Sequence, residues 1–448
     1  MQSTTLAIGI LGSVLVLLLR PPLALGAYIG VLVWYPDYLR VSIGTIDISV
    51  GRIVVTVLLL RCLCNDGICK KFIWSRLDTL VSLSMVVYVG MYCFAHPSLS
   101  RSIENQSGFL MDTLLSYFVA RLCIMNFKGA VTAIKCVAII LFPLALLGIV
   151  EATTGWQPFT TYIQYCPWVS EYIPYNARWG FTRAWGPFSH PILFGSCFVL
   201  VMPLIWALRH QHGYWGKLAY FLSGIAILGA FSSMSSNPWG MLVVVVLCLV
   251  LEKYKHWTKI ILASLVMLCI LTEIGSNRPF YHVIYSYINF AKGDWWQRAR
   301  LVDIAIEHID EWWLAGYGGK DPGWGQLYFW AAFTDCNNEF LLIGLKTGII
   351  GIVSLCAVLI TAFRALARAF KETTDKELQS LYWSMGSSLV GVIVVWQGVS
   401  FFGQMPALFY SFLGIMGSSI GFARYNDADR RLLKTSYNNL ILSYGRVK

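Results

Sequence analysis

The chain has 448 residues, 57% of them hydrophobic and 13% charged, with a net charge of +11 at pH 7 and a mean hydropathy of +0.62. A soluble domain carries about 25% charged and 45–50% apolar residues, so a disordered chain, a nucleic-acid-binding protein and an ordinary cytosolic enzyme all fit poorly. The apolar content suffices for roughly a dozen bilayer-spanning helices of about 20 residues each, and the useful question about the positive charge is where it sits.

In chain order, apolar runs occupy 5–19, 23–35, 48–64, 77–94, 106–124, 130–150, 191–208, 215–232, 238–251, 258–274, 338–363, 380–402 and 406–422. The second is short and follows Arg20-Pro21-Pro22, so it reads either as a span or as a re-entrant element. That gives twelve or thirteen spans and an all-α, polytopic helical bundle. The first run lacks a basic leader and reads as a span rather than a cleavable signal. Cytoplasmic connections are enriched in Lys and Arg. Alternate connections hold Arg61, Lys70, Lys71 and Arg76, then Lys128, then Arg209 and Lys217, then Lys253, Lys255 and Lys259, then Arg364, Arg368, Lys371 and Lys376. The tail, 423–448, is also basic. This pattern predicts a cytoplasmic C-terminus; the N-terminus lies outside with thirteen spans and inside with twelve.

The whole chain, 1–448, therefore reads as one integral membrane domain. Two connections break the pattern of short loops, 151–190 and 275–337, and both fall on the outer side. Long connections are usually functional. These two hold more than half of the 18 tryptophans, and Arg178, Arg183, Arg278, Arg298 and Arg300, on the side where topology disfavours basic residues. The stretch 301–313 has the pattern of an amphipathic helix, with positions 303, 307, 310 and 311 on one polar face. Such a helix lies in the interface plane, with Trp312 and Trp313 as interfacial anchors. For Trp179, Trp185, Trp295 and Trp296, beside arginines, stacking on sugars and anchoring are equally open.

Several features have plain readings. Most of the 12 cysteines lie in spans, where Cys acts as a small apolar residue. Cys62, Cys64 and Cys69 lack paired zinc-ligand spacing; Cys166 and Cys336 fall in the two outer loops, where a disulfide is conceivable. The histidines form no ligand pattern, and His190 before Pro191 reads as a cap or hydrogen-bonding group. Asp112, Arg121 and Lys346 lie in or near spans, where ionisable groups are functional candidates; pairing is the leading reading for all three, and Arg121 could also snorkel to the cytoplasmic side. No metal site and no cofactor motif is evident.

Three segments look like parts of one site: Arg178 through Pro191, Trp295 through Leu301, and Thr334 through Glu339. Arginine suits bidentate phosphate capture, and a neighbouring acid can act as a general base. The set suits a substrate with a pyrophosphate, sugars and a lipid tail. The alternative is that these arginines bind lipid headgroups or pair with Asp294, Asp303 or Asp321.

The run Arg183-x-x-Gly186-x-Phe188-x-x-Pro191 resembles the R-x-x-G-x-F-x-x-P signature of the O-antigen ligase and Wzy-type polysaccharide polymerase superfamily. Tyr117-Phe118-Val119-Ala120-Arg121, Glu151-x-x-Thr154-Gly155, Ser233 through Trp239, Arg298-x-x-Leu301 through Gly316, and Asn338-x-Phe340-Leu341 through Gly351 resemble further stretches of that superfamily, in order, over about residues 105–365. The ligases carry a His just before the Asn; here that position is Asn337, with Asp335 three residues before Asn338. This D-x-x-N arrangement resembles the exopolysaccharide-polymerase-like branch more closely. The resemblance implies a GT-C-like membrane glycosyltransferase of the bacterial inner membrane, facing the periplasm. It would transfer a glycan from an undecaprenyl-pyrophosphate carrier to an acceptor glycan, with inversion, without metal or cofactor. Arg183 and Arg298 would hold the pyrophosphate, assisted by Arg178 or Arg300. Asp335 would act on the acceptor hydroxyl, with Asp294 or Asp321 as alternatives. Asn338, Asn337 and His190 would bind substrate, and Trp185 and Trp296 would stack on sugars. Membrane lipids and a chain-length regulator are the implied partners, and nucleic acid is not. A ligase using another acceptor and a lipid-linked-oligosaccharide transporter are the alternatives, the latter weakened by the lack of an internal repeat.

Overall fold

A computed structural model describes residues 1–44, 46–165, 177–288 and 295–422. The chain is mostly helical. Helices α1 (Gln2–Leu18), α2 (Pro21–Trp34), α3 (Val50–Leu63) and α4 (Arg76–Ala95) are followed by α5 (Leu99–Leu110), which passes through a π turn into α6 (Ser116–Cys123), and by α7 (Phe127–Thr154). The second half holds α8 (Pro191–Ala207), α9 (Tyr214–Ser232), α10 (Ser236–Leu251), α11 (Thr258–Gly275), α12 (Phe280–Ile288), α13 (Trp295–Glu307), α14 (Ile309–Trp312), α15 (Glu339–Glu372), α16 (Lys376–Trp396) and α17 (Met405–Ser419).

Each apolar run is thus largely helical. Among the described residues, seven helices are long and apolar enough to cross a membrane. The runs at 23–35 and 48–64 form helices of only 14 residues. At 1.5 Å per residue that is about 21 Å, short of a hydrocarbon core of about 30 Å. The all-α reading also missed a β-hairpin. β1 (Arg40–Ile43) pairs antiparallel with β2 (Ile46–Ser49), Arg40 opposite Ser49. β-branched residues suit a strand, and Ser49 then caps α3 by accepting from Arg52 N.

The centre of the bundle is α8, most of which is buried, whereas no residue of the apolar stretch of α11 is. α8 packs against α9, α10 and α16. Its approach to the start of α10 depends on Gly195, where a Cβ would stand 2.5 Å from Ser233 Oγ and 2.8 Å from Pro238. Among the ion pairs of the described residues, that of Asp78 and Arg121 is the most buried. Asp78 accepts from Arg121 Nε and Nη2, each at 2.7 Å, and from the Tyr117 hydroxyl at 2.6 Å. Arg121 is therefore buried in a pair rather than reaching out to the membrane surface. Arg52 Nη2 meets Asp112 Oδ2 at 2.6 Å.

α15 is not a continuous helix. Gly348 adopts φ 76°, ψ −177°, a conformation open to glycine alone. The break frees backbone groups that the loop before α15 takes up: Tyr317 N donates to Leu345 O at 2.6 Å and Ile349 N to Trp313 O at 2.8 Å. The loop 295–337 also has a small core of its own, with Leu301, Ile304, Trp312, Trp324 and Cys336 packed on Leu341 and Leu345. The amphipathic segment begins earlier than expected, at Trp295, and breaks at His308. Trp312 is no interfacial anchor: it is buried, and its Nε1 donates to Ala305 O at 2.8 Å.

Candidate functional site at the loop end of the bundle

The turn that carries Arg183 is built by the end of α7. Glu151 Oε2 accepts from the backbone N–H groups of Trp185 and Gly186, each at 3.0 Å. Thr182 N donates to Ala152 O at 3.1 Å and Ala184 N to Ser232 O at 3.0 Å. Gln157 Nε2 donates to Arg183 O at 2.9 Å. The backbone on both sides of Arg183 is therefore fixed before its side chain makes any contact.

That side chain points to the segment linking α9 to α10. Arg183 Nη2 donates to Ser235 Oγ at 2.9 Å. Arg178 Nη1 donates to Met234 O at 3.3 Å. Arg298, arriving on α13, donates through Nη1 to Asn237 Oδ1 at 2.9 Å, and Asn237 Nδ2 donates to Gly398 O at 2.6 Å. Three guanidinium groups from two distant stretches of sequence thus meet one short segment, 234–237.

His190 lies within their field. Its Nδ1 accepts from Ile192 N at 3.1 Å and caps α8. Burial first, then the charges of Arg183, Arg178 and Arg298, pull its pKa down from 6.5 to about 3. The ring is neutral, and with Nδ1 accepting, its hydrogen sits on Nε2.

Asn338 closes the other side. Its Oδ1 accepts from Leu341 N at 3.0 Å, capping α15. Its Nδ2 donates to the Tyr285 hydroxyl at 3.2 Å and to Gln397 Oε1 at 3.4 Å. Tyr285 in turn donates to Gln397 O at 2.8 Å. Burial holds the Asp335 carboxyl above the usual range, against the opposing pull of an Asn337 hydrogen bond and of Arg298. The apolar run 380–402 is not one helix: the helix stops at Trp396, and the non-helical stretch after it brings Gln397 and Gly398 to the site.

Arg178, Arg183, His190, Arg298, Asp335, Asn337 and Asn338 are therefore brought together. Other expected members are not. Arg300 turns away, with Nη1 2.8 Å from Glu307 Oε1 and its guanidinium over Tyr328. Trp185 is 2% exposed, so its ring packs in the interior and is not offered for stacking. Trp296 is exposed and meets Phe329 edge-on. Trp179 stacks on Trp239 at 5.4 Å and is the open ring beside Arg178. Asp321 accepts from Thr334 Oγ1 at 2.6 Å and from the N–H groups of Gly323 and Thr334; it clasps the loop. Cys336 is buried, with Sγ 3.5 Å from Asn338 O; burial pushes its thiol up to about 12. Cys166, Asp294 and the tail 423–448 lie outside the described residues. Among the described residues no group of three or more His, Cys, Asp or Glu gathers as a metal set.

Sequence reasoning did not single out Ser235, Asn237, Tyr285 or Gln397. The Ser-rich stretch 233–237 was visible as a helix start, and its neutral side chains carry no charge pattern that would mark them as the arginines' common partner. No family model matches the chain, and no curated protein matches it by sequence.

Proposed function

We propose that the chain is a membrane glycosyltransferase that polymerises undecaprenyl-pyrophosphate-linked repeat units at the outer face of the bacterial inner membrane. The observation that carries this reading is the convergence of Arg178, Arg183 and Arg298 on residues 234–237 beside a neutral His190. Three guanidinium groups held against one short segment place fixed positive charge together at one end of the bundle. They would hold the pyrophosphate and stabilise the negative charge that grows on it as the glycosidic bond breaks. Asn338 and Asn337 supply amide groups for sugar hydroxyls, and Trp179 an exposed ring. Asp335 is a carboxyl group at this end of the bundle, within the field of Arg298, and the residue the sequence offers for the acceptor proton. Seven long apolar helices suit a lipid-linked donor.

The transporter reading draws on one feature, the broken helix α15, since transporters place substrates at discontinuous helices. The groups freed at that break are occupied by the chain's own loop, which favours the enzyme. The test is purified protein in liposomes with lipid-pyrophosphate-linked repeat units. Longer lipid-linked glycan supports the polymerase, and transfer to a different acceptor supports a ligase. Movement of the lipid across the bilayer with no new glycosidic bond refutes both.

A further inference from the structure

An open cavity of about 490 Å³ lies at the elbow between α11 and α12, lined by Thr272, Ser276, Arg278, His282 and Ser286 among others. Small-molecule sites occupy roughly 300–1,000 Å³, and hydroxyl, guanidinium and imidazole groups are the kind that hold a sugar. His282 does not stand alone there. Its Nε2 lies 2.9 Å from Oδ1 and 3.0 Å from Oδ2 of Asp303 on α13. The Tyr281 hydroxyl donates to the same Oδ1 at 2.6 Å. A carboxylate only accepts, so Nε2 carries a hydrogen, and Nδ1 is the ring nitrogen left to take up a proton. A carboxylate that fixes the tautomer and then stabilises the imidazolium is what a general-base histidine requires. Each side chain is 21% exposed, so the pair is reachable.

The dyad adjoins the arginine site. Tyr285, one turn further along α12 or about 4.5 Å of rise, touches Asn338. Asp303 follows Arg298 on α13 by about 7.5 Å. Inversion by single displacement needs the acceptor hydroxyl to approach the anomeric carbon opposite the departing pyrophosphate. Asp335 lies in the field of Arg298, on the leaving-group side. A base for the acceptor has to stand across from the arginines.

We propose that the α11–α12 cavity holds the acceptor sugar and that His282, oriented by Asp303, takes the proton from its hydroxyl. This rests on the glycosyltransferase reading above. In the step, Nδ1 accepts the hydroxyl proton while the oxygen forms a bond to the anomeric carbon. The bond from that carbon to the pyrophosphate oxygen breaks and its electron pair leaves with the pyrophosphate. The imidazolium, paired with Asp303, then releases its proton to water. His282 is the catalytic residue and Asp303 the positioning residue.

The test uses full-length protein in liposomes with lipid-pyrophosphate-linked glycan. His282→Gln keeps an N–H for Asp303 and so keeps the tie between α12 and α13, but it has no basic nitrogen. General-base catalysis contributes about 100- to 10,000-fold, so kcat in His282→Gln falls at least 100-fold with donor KM unchanged. Added imidazole restores turnover in His282→Ala, and Asp303→Asn lowers kcat in the same sense. An active wild type with a fully active His282→Gln overturns this proposal alone, as does His282→Ala that imidazole leaves inactive while its thermal unfolding is unchanged. A wild type that forms no glycosidic bond overturns the parent reading and this one with it.

Discussion

Replacing Arg183 with Met separates charge from architecture. The backbone around Arg183 is held by Glu151, Gln157, Ala152 and Ser232, none of which touches the guanidinium. Arg183 is 6% exposed, and among the bonds lost is the one to Ser235 Oγ, a charge-assisted contact worth about 1.5–3 kcal/mol. The effect on catalysis is of similar size or larger. A guanidinium about 4 Å from a phosphate charge contributes on the order of 4 kcal/mol at an effective dielectric of about 20. Removing one fixed donor to a developing oxyanion costs about 2.7–4 kcal/mol, or 100- to 1,000-fold in kcat. Arg183→Met is expected to fall in that range, and Arg183→Lys between it and wild type, because an ammonium is a point charge without the fork. The assay is single-turnover formation of extended lipid-linked glycan, with thermal unfolding in detergent as the control for folding. Arg183→Met turning over at the wild-type rate would refute the assignment of the pyrophosphate to this cluster.

Four further outcomes follow from the geometry. Glu151→Ala removes the acceptor for two backbone N–H groups and lowers the unfolding temperature together with activity, whereas Glu151→Gln, which keeps one carbonyl acceptor, recovers part of both; equal stability in wild type and Glu151→Ala would count against its role in the turn. Asp78→Ala strands the buried Arg121 charge and destabilises by about 3–5 kcal/mol, read by denaturant unfolding, and Asp78→Ala with Arg121→Met recovers much of that loss. His190 has a folded pKa of about 3 against an ordinary 6.5, so the unfolded chain takes up a proton that the folded chain refuses. Its contribution to stability is intact above about pH 6.5 and declines as pH falls towards 3; His190→Gln should flatten that part of the stability profile. Arg300→Ala, whose partners are Glu307, Tyr328 and, at 3.9 Å, Asp303, is expected to lose far less turnover than Arg183→Met, and a loss comparable to Arg183→Met would place it back among the donor ligands.

The helices were legible in the sequence because apolar content sustained over a whole run speaks for itself, and the runs 191–208 and 215–232 match α8 and α9 to within a residue or two. What periodicity could not separate was length adequate to span from length merely apolar, as at α2 and α3. The hairpin at 40–49 was hidden because its eight paired residues sit against an apolar run and share its β-branched composition. Within the site, Arg183 and Arg298 were readable because charge on the disfavoured side of a membrane stands out. Trp185 misled, since a tryptophan next to an arginine in sequence can equally turn its ring inward. Asn237 and Gln397 were illegible for a different reason: neutral amides acquire meaning only from the distant groups they meet, and Asn237 meets Arg298 across 61 positions of chain.

The break at Gly348 also bears on how the molecule is assembled. A helix whose Leu345 carbonyl and Ile349 N–H lack partners in its own ladder is a poor guest for hydrocarbon, where each unsatisfied backbone group costs several kcal/mol. Those partners come from Trp313 and Tyr317, so α15 can complete its ladder only after the preceding loop has docked. Burial of the helix and closure of the loop then become a single cooperative event, and a chain that inserts all its apolar segments but misfolds the segment 313–317 is left with a defective span rather than a merely inactive surface.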